Sequence, residues 1–197
     1  MLTARAEHRL LLRQDNADIR LTPLGFEIGL ISKSRHNTFL KMKESIENEI
    51  NRLEKKVVSP SQKVNNFLRG QNSAPIKTGA KLADLLRRPE ISYSALAEID
   101  DDFPHYDKSI ANQVETTIKY EGYIKRQQIK AAQDKKLNSR KIPADIDYMS
   151  LDGIRIEARQ KLSKIKPETV GQASRISGVS PADISVLLVY MKRQNAF

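Results

Sequence analysis

Apolar residues recur along this chain at three- and four-residue steps, the period that gathers them on one face of an α-helix. The clearest stretch carries Phe39, Met42, Ile46, Ile50, Leu53 and Val57, with charges filling the gaps. It predicts an amphipathic helix of several turns whose narrow apolar stripe suits one neighbour. A second long helix is predicted from Asp107, its cap, to about Lys136, with Ile110, Val114, Ile118, Ile124 and Ile129 on the buried side. At a rise of about 1.5 Å per residue it would span roughly 45 Å. Gly122 falls inside it at a cost of about 1 kcal/mol against alanine, and is read as a close packing point or a bend.

Shorter elements fill the remainder. Thr22-Pro23 has the form of a cap and first helical position, with Gly29 as the stop. Ser59-Pro60-Ser61-Gln62 resembles a capping box ahead of Val64, Phe67 and Leu68, and Gly70 ends that element. Gln71 to Thr78 reads as a loop. Thr78 is expected to cap a short helix through Leu82, Leu85 and Leu86, and Ser92 to open another through Leu96 and Ile99. Beyond a polar connector from Asn138 to Asp147, three short helices are expected. They carry Ile156, Leu162 and Ile165, then Val170, Ala173 and Ile176, then Ile184, Leu187, Leu188 and Met191. Strand signals do not recur.

The predicted fold is therefore all-α. An N-terminal helical region with a long amphipathic helix is followed by a long helix leading to a small C-terminal three-helix bundle. The acidic run of Glu98, Asp100, Asp101 and Asp102, followed by Pro104, is the candidate boundary. It gives a helical linker and middle helical domain over 1–103, and the long helix plus three-helix subdomain over 104–197.

Composition removes several kinds of chemistry. There is no cysteine among the 197 residues, so disulfides, thiolate nucleophiles and cysteine zinc sites are excluded. A reducing compartment permits this, and a cytoplasmic location is expected. The longest apolar run, Val186 to Met191, is too short to cross a bilayer, and no membrane partner is expected. No signal-peptide run follows Met1; the sequence there reads as mid-protein, so the chain is expected to be a piece of a longer one. His8, His36 and His105 are scattered, with none at metal-ligand spacing. The eight glycines include no G-x-G pair, which excludes the usual dinucleotide and P-loop signatures.

Binding signals remain, in a chain with a net charge of +10. Arg5, Arg9 and Arg13 lie four apart, which would align them on one helical face, although the short apolar run also admits a strand. Such a stripe is either a solvated face or a set of phosphate forks. Arg87 and Arg88 end a helix, where they complement its dipole or meet phosphate. Between Lys119 and Lys141 there are eight basic residues and two acidic ones, with Lys125, Arg126, Lys130, Lys135 and Lys136 among Tyr120 and Tyr123. That stretch is a wet helical face or an RNA contact. Leu151-Asp152-Gly153-Ile154 resembles the turn of a helix-hairpin-helix with Arg155 in place of its second glycine. Thr169 to Arg193 resembles a helix-turn-helix with Gly178 in the turn.

Four motifs in order resemble one family. They are Arg5-Ala6-Glu7 through Arg20-Leu21-Thr22, Asp84-Leu85-Leu86-Arg87-Arg88-Pro89-Glu90, Lys119-Tyr120-Glu121-Gly122-Tyr123-Ile124, and Gly171-Gln172-Ala173-Ser174-Arg175-Ile176-Ser177-Gly178-Val179. Together they look like the C-terminal third of MnmG, also called GidA. Ala4 and His8 depart from the serine and tyrosine usual there. The resemblance implies a cytoplasmic, homodimeric flavoprotein. With the GTPase MnmE it adds an aminomethyl or carboxymethylaminomethyl group to carbon 5 of the tRNA wobble uridine. It implies FAD and NADH for the whole enzyme, none of them held by this fragment, which is expected to have no catalytic activity alone. Carried over, Arg87, Arg88, Lys125 and Arg126 become tRNA candidates, with Arg5, Arg9, Arg13 and Lys130 beside them. Ser174, Arg175, Ile176 and Gly178 become candidates for the MnmE surface. The rival readings are a stand-alone helical protein-interaction module and a helix-turn-helix DNA-binding protein.

Overall fold

Leu53, Leu68, Leu82, Leu85, Leu86, Ile91, Leu96 and Val114 lose all solvent contact around one core. In the computed structural model, which describes residues 8–194, that core belongs to a compact unit ending at Gln127. A second core, around Ala158, Leu162, Val170, Ala173 and Leu187, belongs to a unit starting at Gln128. The all-α class holds. The sequence expectation of 1–103 and 104–197 differs from this division, which falls inside the second long helix rather than at the acidic run.

The first unit holds α1 (Ala17–Glu27), α2 (Lys33–Lys55), β1 (Val57–Val58), α3 (Gln62–Gly70), β2 (Ala80–Lys81), α4 (Leu82–Leu86) and most of α5 (Lys108–Ser139). Phe39, Ile46 and Leu53 form the buried face of α2, and Ser32 caps it by accepting from the Arg35 amide at 3.3 Å. Val57 is not the last residue of that face. It is exposed in β1, where Val57 pairs with Lys81 and Val58 with Ala80 in antiparallel register. Two adjacent β-branched residues favour extended backbone, and the pairing excludes Thr78 as a cap, since α4 starts directly after β2.

Two other starts shift. α1 begins at Ala17, so Thr22 is a buried mid-helix residue and Pro23 sits inside the helix, where it forfeits one backbone hydrogen bond. Gly29 does mark the stop, at φ +79°, while the Leu30 and Ile31 amides return to the Gly25 carbonyl. At α3 the cap is Ser61, whose Oγ accepts from the Val64 amide at 3.2 Å, rather than Ser59.

The acidic run turns inward instead of linking domains. Asp100 is 2% exposed and takes Lys56 Nζ at 2.5 Å and Arg52 Nη1 at 2.7 Å. Asp102 also meets Lys56 at 2.7 Å, and Asp101 meets Lys63 at 2.9 Å. Burial alone would raise the Asp100 carboxyl, but the hydrogen bonds from Lys56 and Arg52 outweigh it and hold the group below its usual range. Glu49, equally buried, accepts from Arg52 at 2.8 Å and from Tyr93 Oη at 2.9 Å. Each buried charge is thus paired and hydrogen-bonded, the condition for keeping it out of water.

α5 buries Val114 and Ile118, but Ile129 is 53% exposed because the first core ends at Ile118. Gly122 is no packing point. A Cβ built there would meet nothing within 4 Å, and the helix runs on through it.

The second unit has the three expected helices, α6 (Ile156–Ile165), α7 (Val170–Ser174) and α8 (Pro181–Gln194). Thr169 and Gln172 form a reciprocal capping box on α7. Ser180 and Asp183 do the same on α8, the Ser180 amide donating to Asp183 at 2.8 Å and the Asp183 amide to Ser180 Oγ at 3.3 Å. The helix-hairpin-helix does not form. The element before Gly153 is a three-residue 3-10 turn, Tyr148–Ser150. Arg155 donates to Asp183 at 2.8 Å and to the Gly178 carbonyl at 3.0 Å, which tie it to α8 and the turn before it.

Candidate functional site

Past Ile118, α5 no longer needs apolar residues on one face, and the sequence there turns aromatic and basic. Tyr120 and Tyr123 are 46% and 57% exposed, with ring centroids 6.4 Å apart. Arg126 donates to the Gly122 carbonyl at 3.2 Å, which lays its guanidinium 4.7 Å from the Tyr123 ring centroid. This is a cation–π contact that leaves the outer face of the guanidinium to solvent. Lys125 is exposed beside it and belongs to no ion pair among the described residues. Lys130, also exposed, lies on the part of α5 that belongs to the second unit.

Arg87 and Arg88 are bound to the protein instead. Arg87 donates to Asp84 at 2.7 Å, to Glu121 at 2.8 Å and to Glu54. Its guanidinium is held more firmly protonated than usual, chiefly by Glu121 and then by Glu54. Arg88 reaches Ser73 Oγ at 2.8 Å and the Ala74 carbonyl. These two arginines fix the end of α4 against α2, α5 and the loop after α3.

The N-terminal stripe is not helical where it is described. Arg9 sits exposed in a turn, and Arg13 lies in irregular chain, donating to Asp15 at 3.0 Å and to the Leu10 carbonyl at 2.7 Å. Arg5 falls outside the described residues. Arg9 and Arg13 therefore do not share a helix face. The Gln14-Asp15-Asn16 break lies at the start of α1, where Asn16 accepts from Arg20 at 2.9 Å.

A cavity of about 740 Å³ opens beside the tyrosines, lined among others by Asn112, Thr116, Lys119, Tyr120 and Tyr123. Asn112 and Thr116 carry no signal when read singly. Their spacing of four, four and three to Tyr120 and Tyr123 is what puts all four on one side of the helix.

In the second unit, Ser174 and Arg175 are exposed, with Ser174 Oγ on the Gly171 carbonyl at 2.9 Å and Arg175 on Asn138 at 2.8 Å. Ile176 is half-buried against the second core. Gly178 holds φ +94°, and a side chain there would strike Lys161 and Glu157. It is a conformational requirement of the turn into α8.

A dinucleotide site needs a strand that feeds a glycine loop at a helix start. Among the described residues the strands are two residues long and antiparallel, with no such loop. No group of three or more histidine, aspartate or glutamate side chains suits a metal among the described residues. Nor is any described helix long and apolar enough to cross a membrane.

The described residues form two helical units, with the long helix α5 running from one into the other and exposed tyrosines and basic residues along it. A family model described as the tRNA modifying enzyme MnmG/GidA C-terminal helical domain matches residues 33–128, and one described as its C-terminal helical bundle matches 128–197. The chain belongs to the MnmG/GidA family. The two matches meet where the structure divides.

The tRNA uridine 5-carboxymethylaminomethyl modification enzyme MnmG of Caldicellulosiruptor saccharolyticus is 57% identical over 98% of this chain and 31% of the relative. That of Lachnoclostridium phytofermentans is 52% identical over the same shares. Aquifex aeolicus GidA, in its form II crystal, superposes with a TM-score of 0.63 at 36% identity, over 95% of this chain and 29% of that one. The chain spans about a third of the length of the curated relatives it matches.

Proposed function

We propose that this chain is the docking region for tRNA and for the GTPase MnmE in an enzyme that modifies carbon 5 of the tRNA wobble uridine. The observation that carries the RNA half is the pairing state of the cations. Arg87 and Arg88 are bound inward, whereas Lys125 and Arg126 stand exposed on α5, Arg126 over the Tyr123 ring. Unpaired cations beside exposed aromatic rings favour a single-stranded or loop segment of RNA. Lys130 and Arg9 add exposed charge of the same sign.

For MnmE, the turn at Ser174 and Arg175 is the candidate contact, with Ile176 and Gly178 setting its shape. FAD and NADH are proposed for the whole enzyme.

The test is tRNA binding by this chain across a salt series. Each phosphate contact contributes a log–log slope of about −0.7 to −0.9. Lys125→Ala with Arg126→Ala is expected to flatten the slope by roughly two such increments. An absence of salt-sensitive binding at low ionic strength would overturn the RNA half. Capture of MnmE, lost on Arg175→Glu, tests the other half, and undiminished capture would overturn the assignment of that turn.

A further inference from the structure

The cavity beside Tyr120 and Tyr123 has charged walls that neutralise one another. Lys119 pairs with Glu115 at 2.9 Å and donates to the Pro89 carbonyl at 3.3 Å. Asp15 is held by Arg13 at 3.0 Å and by Gln113 at 3.0 Å, and Arg87 by its three carboxylates. What stays uncommitted is uncharged. The Asn112 amide, the Thr116 hydroxyl and the two tyrosine hydroxyls make no side-chain hydrogen bond among the described residues. Of the exposed cations just past the cavity, Arg126 lies over the Tyr123 ring, whereas Lys125 points to the other side of the helix.

This separation suits a nucleotide better than a bare anion. A phosphate would seek the cations and gain nothing from the cavity. A nucleobase presents a flat apolar face and a polar edge, and its phosphates lie a few ångströms away. An amide beside aromatic faces can meet such an edge, since Asn offers both a donor and an acceptor.

We infer that the cavity receives one unpaired nucleotide of an RNA strand. Its base stacks on Tyr120 or Tyr123, its edge meets Asn112 and Thr116, and the adjoining phosphate runs to Arg126. This rests on the reading of the chain as a tRNA-docking region and adds which state of the RNA is recognised and by which residues. A base inside a duplex cannot enter, because both of its faces are already stacked.

The chain has six tyrosines and no tryptophan, so the quenching lost in Tyr120 and Tyr123 variants isolates the share of those two rings. The probes are a single-stranded oligouridine and an RNA duplex of equal length, titrated into the full chain at low salt. Single strand is expected to quench the emission and to bind more tightly than duplex. Tyr120→Ala or Tyr123→Ala should weaken the single strand about tenfold and leave the duplex unchanged. Tyr→Phe at either position should retain most of the affinity, and Asn112→Ala should lose part of it. Both rings are about half exposed, so truncation opens no core, and circular dichroism checks that the helices remain.

Tyrosine-to-alanine variants that bind single strand as well as the parent, with the salt slope intact, would overturn this site and leave the docking reading standing. Equal affinity for duplex and single strand would do the same. If neither probe binds while tRNA does, this site falls and the docking reading stands; if tRNA does not bind either, both fall. Quenching by peptides of the modifying machinery but not by RNA would reassign the cavity to a protein and overturn the inference.

Discussion

Arg87, at the end of α4, donates to Glu121 of α5 at 2.8 Å, thirty-four residues further along the chain. The same guanidinium holds Glu54 of α2 and Asp84 of its own turn. A residue that reads in sequence as a phosphate contact is thus a tie between three helices. Arg87→Ala should lower stability by about 0.5–1 kcal/mol, since its three carboxylate partners are partly exposed. It should leave the salt slope of RNA binding unchanged. Denaturant unfolding beside a salt titration separates the two, and a flattened slope with unchanged stability would refute the structural role.

Tyr93 and Glu49 make a second tie inside the first core. The Tyr93 hydroxyl is pushed well above its usual range, first by burial and then by the carboxylate that accepts its proton in a hydrogen bond. Tyr93→Phe leaves that buried carboxylate with one donor fewer, at an expected cost of about 1.5–3 kcal/mol. A denaturant midpoint that stays within error of the parent would show that Arg52 alone satisfies Glu49.

Two glycines should respond in opposite directions. At Gly122 an added methyl meets open space on a continuous helix, so Gly122→Ala should stabilise by about 0.5–1 kcal/mol. At Gly171 the same atom would fall 2.9 Å from Asn138 Cα and closer still to its side chain. Gly171→Ala should therefore destabilise by about 1–3 kcal/mol. Thermal melts of both variants check the contrast, and equal shifts would contradict it.

Acid should loosen both units. Asp100 is held below its usual range because Lys56 and Arg52 outweigh the effect of burial, and Asp183 is lowered chiefly by Arg155. A carboxyl lowered on folding stabilises above its unfolded value and loses that contribution as pH falls towards the folded one. The loss should begin below about pH 4. Unfolding measured from neutral pH downward should show it, and Asp183→Asn should flatten the response of the second unit. An acid response identical in that variant would remove Asp183 from the account.

Helix order and most of the core were legible because three- and four-residue periods survive folding unchanged. The β1–β2 pair was not, since two-residue strands hold too few positions to show alternation. The acidic run read as a boundary because its partners, Arg52, Lys56 and Lys63, are distant in sequence. The same holds for Arg87 and its carboxylates. At the candidate site, Tyr120, Tyr123, Lys125 and Arg126 stood out as residue types. Asn112 and Thr116 became visible only once the cavity gave their spacing a meaning.

The inward turn of Asp100 and Glu49 also shapes how a polyanion would arrive. Those carboxylates are already neutralised at close range, so they do little to cancel the field of exposed lysines and arginines outside. A distant nucleic acid would meet a local positive potential and be drawn along it before any base is touched. Salt should then slow capture more than it hastens escape, because screening acts on the approach, while a stacked ring is held at contact distance.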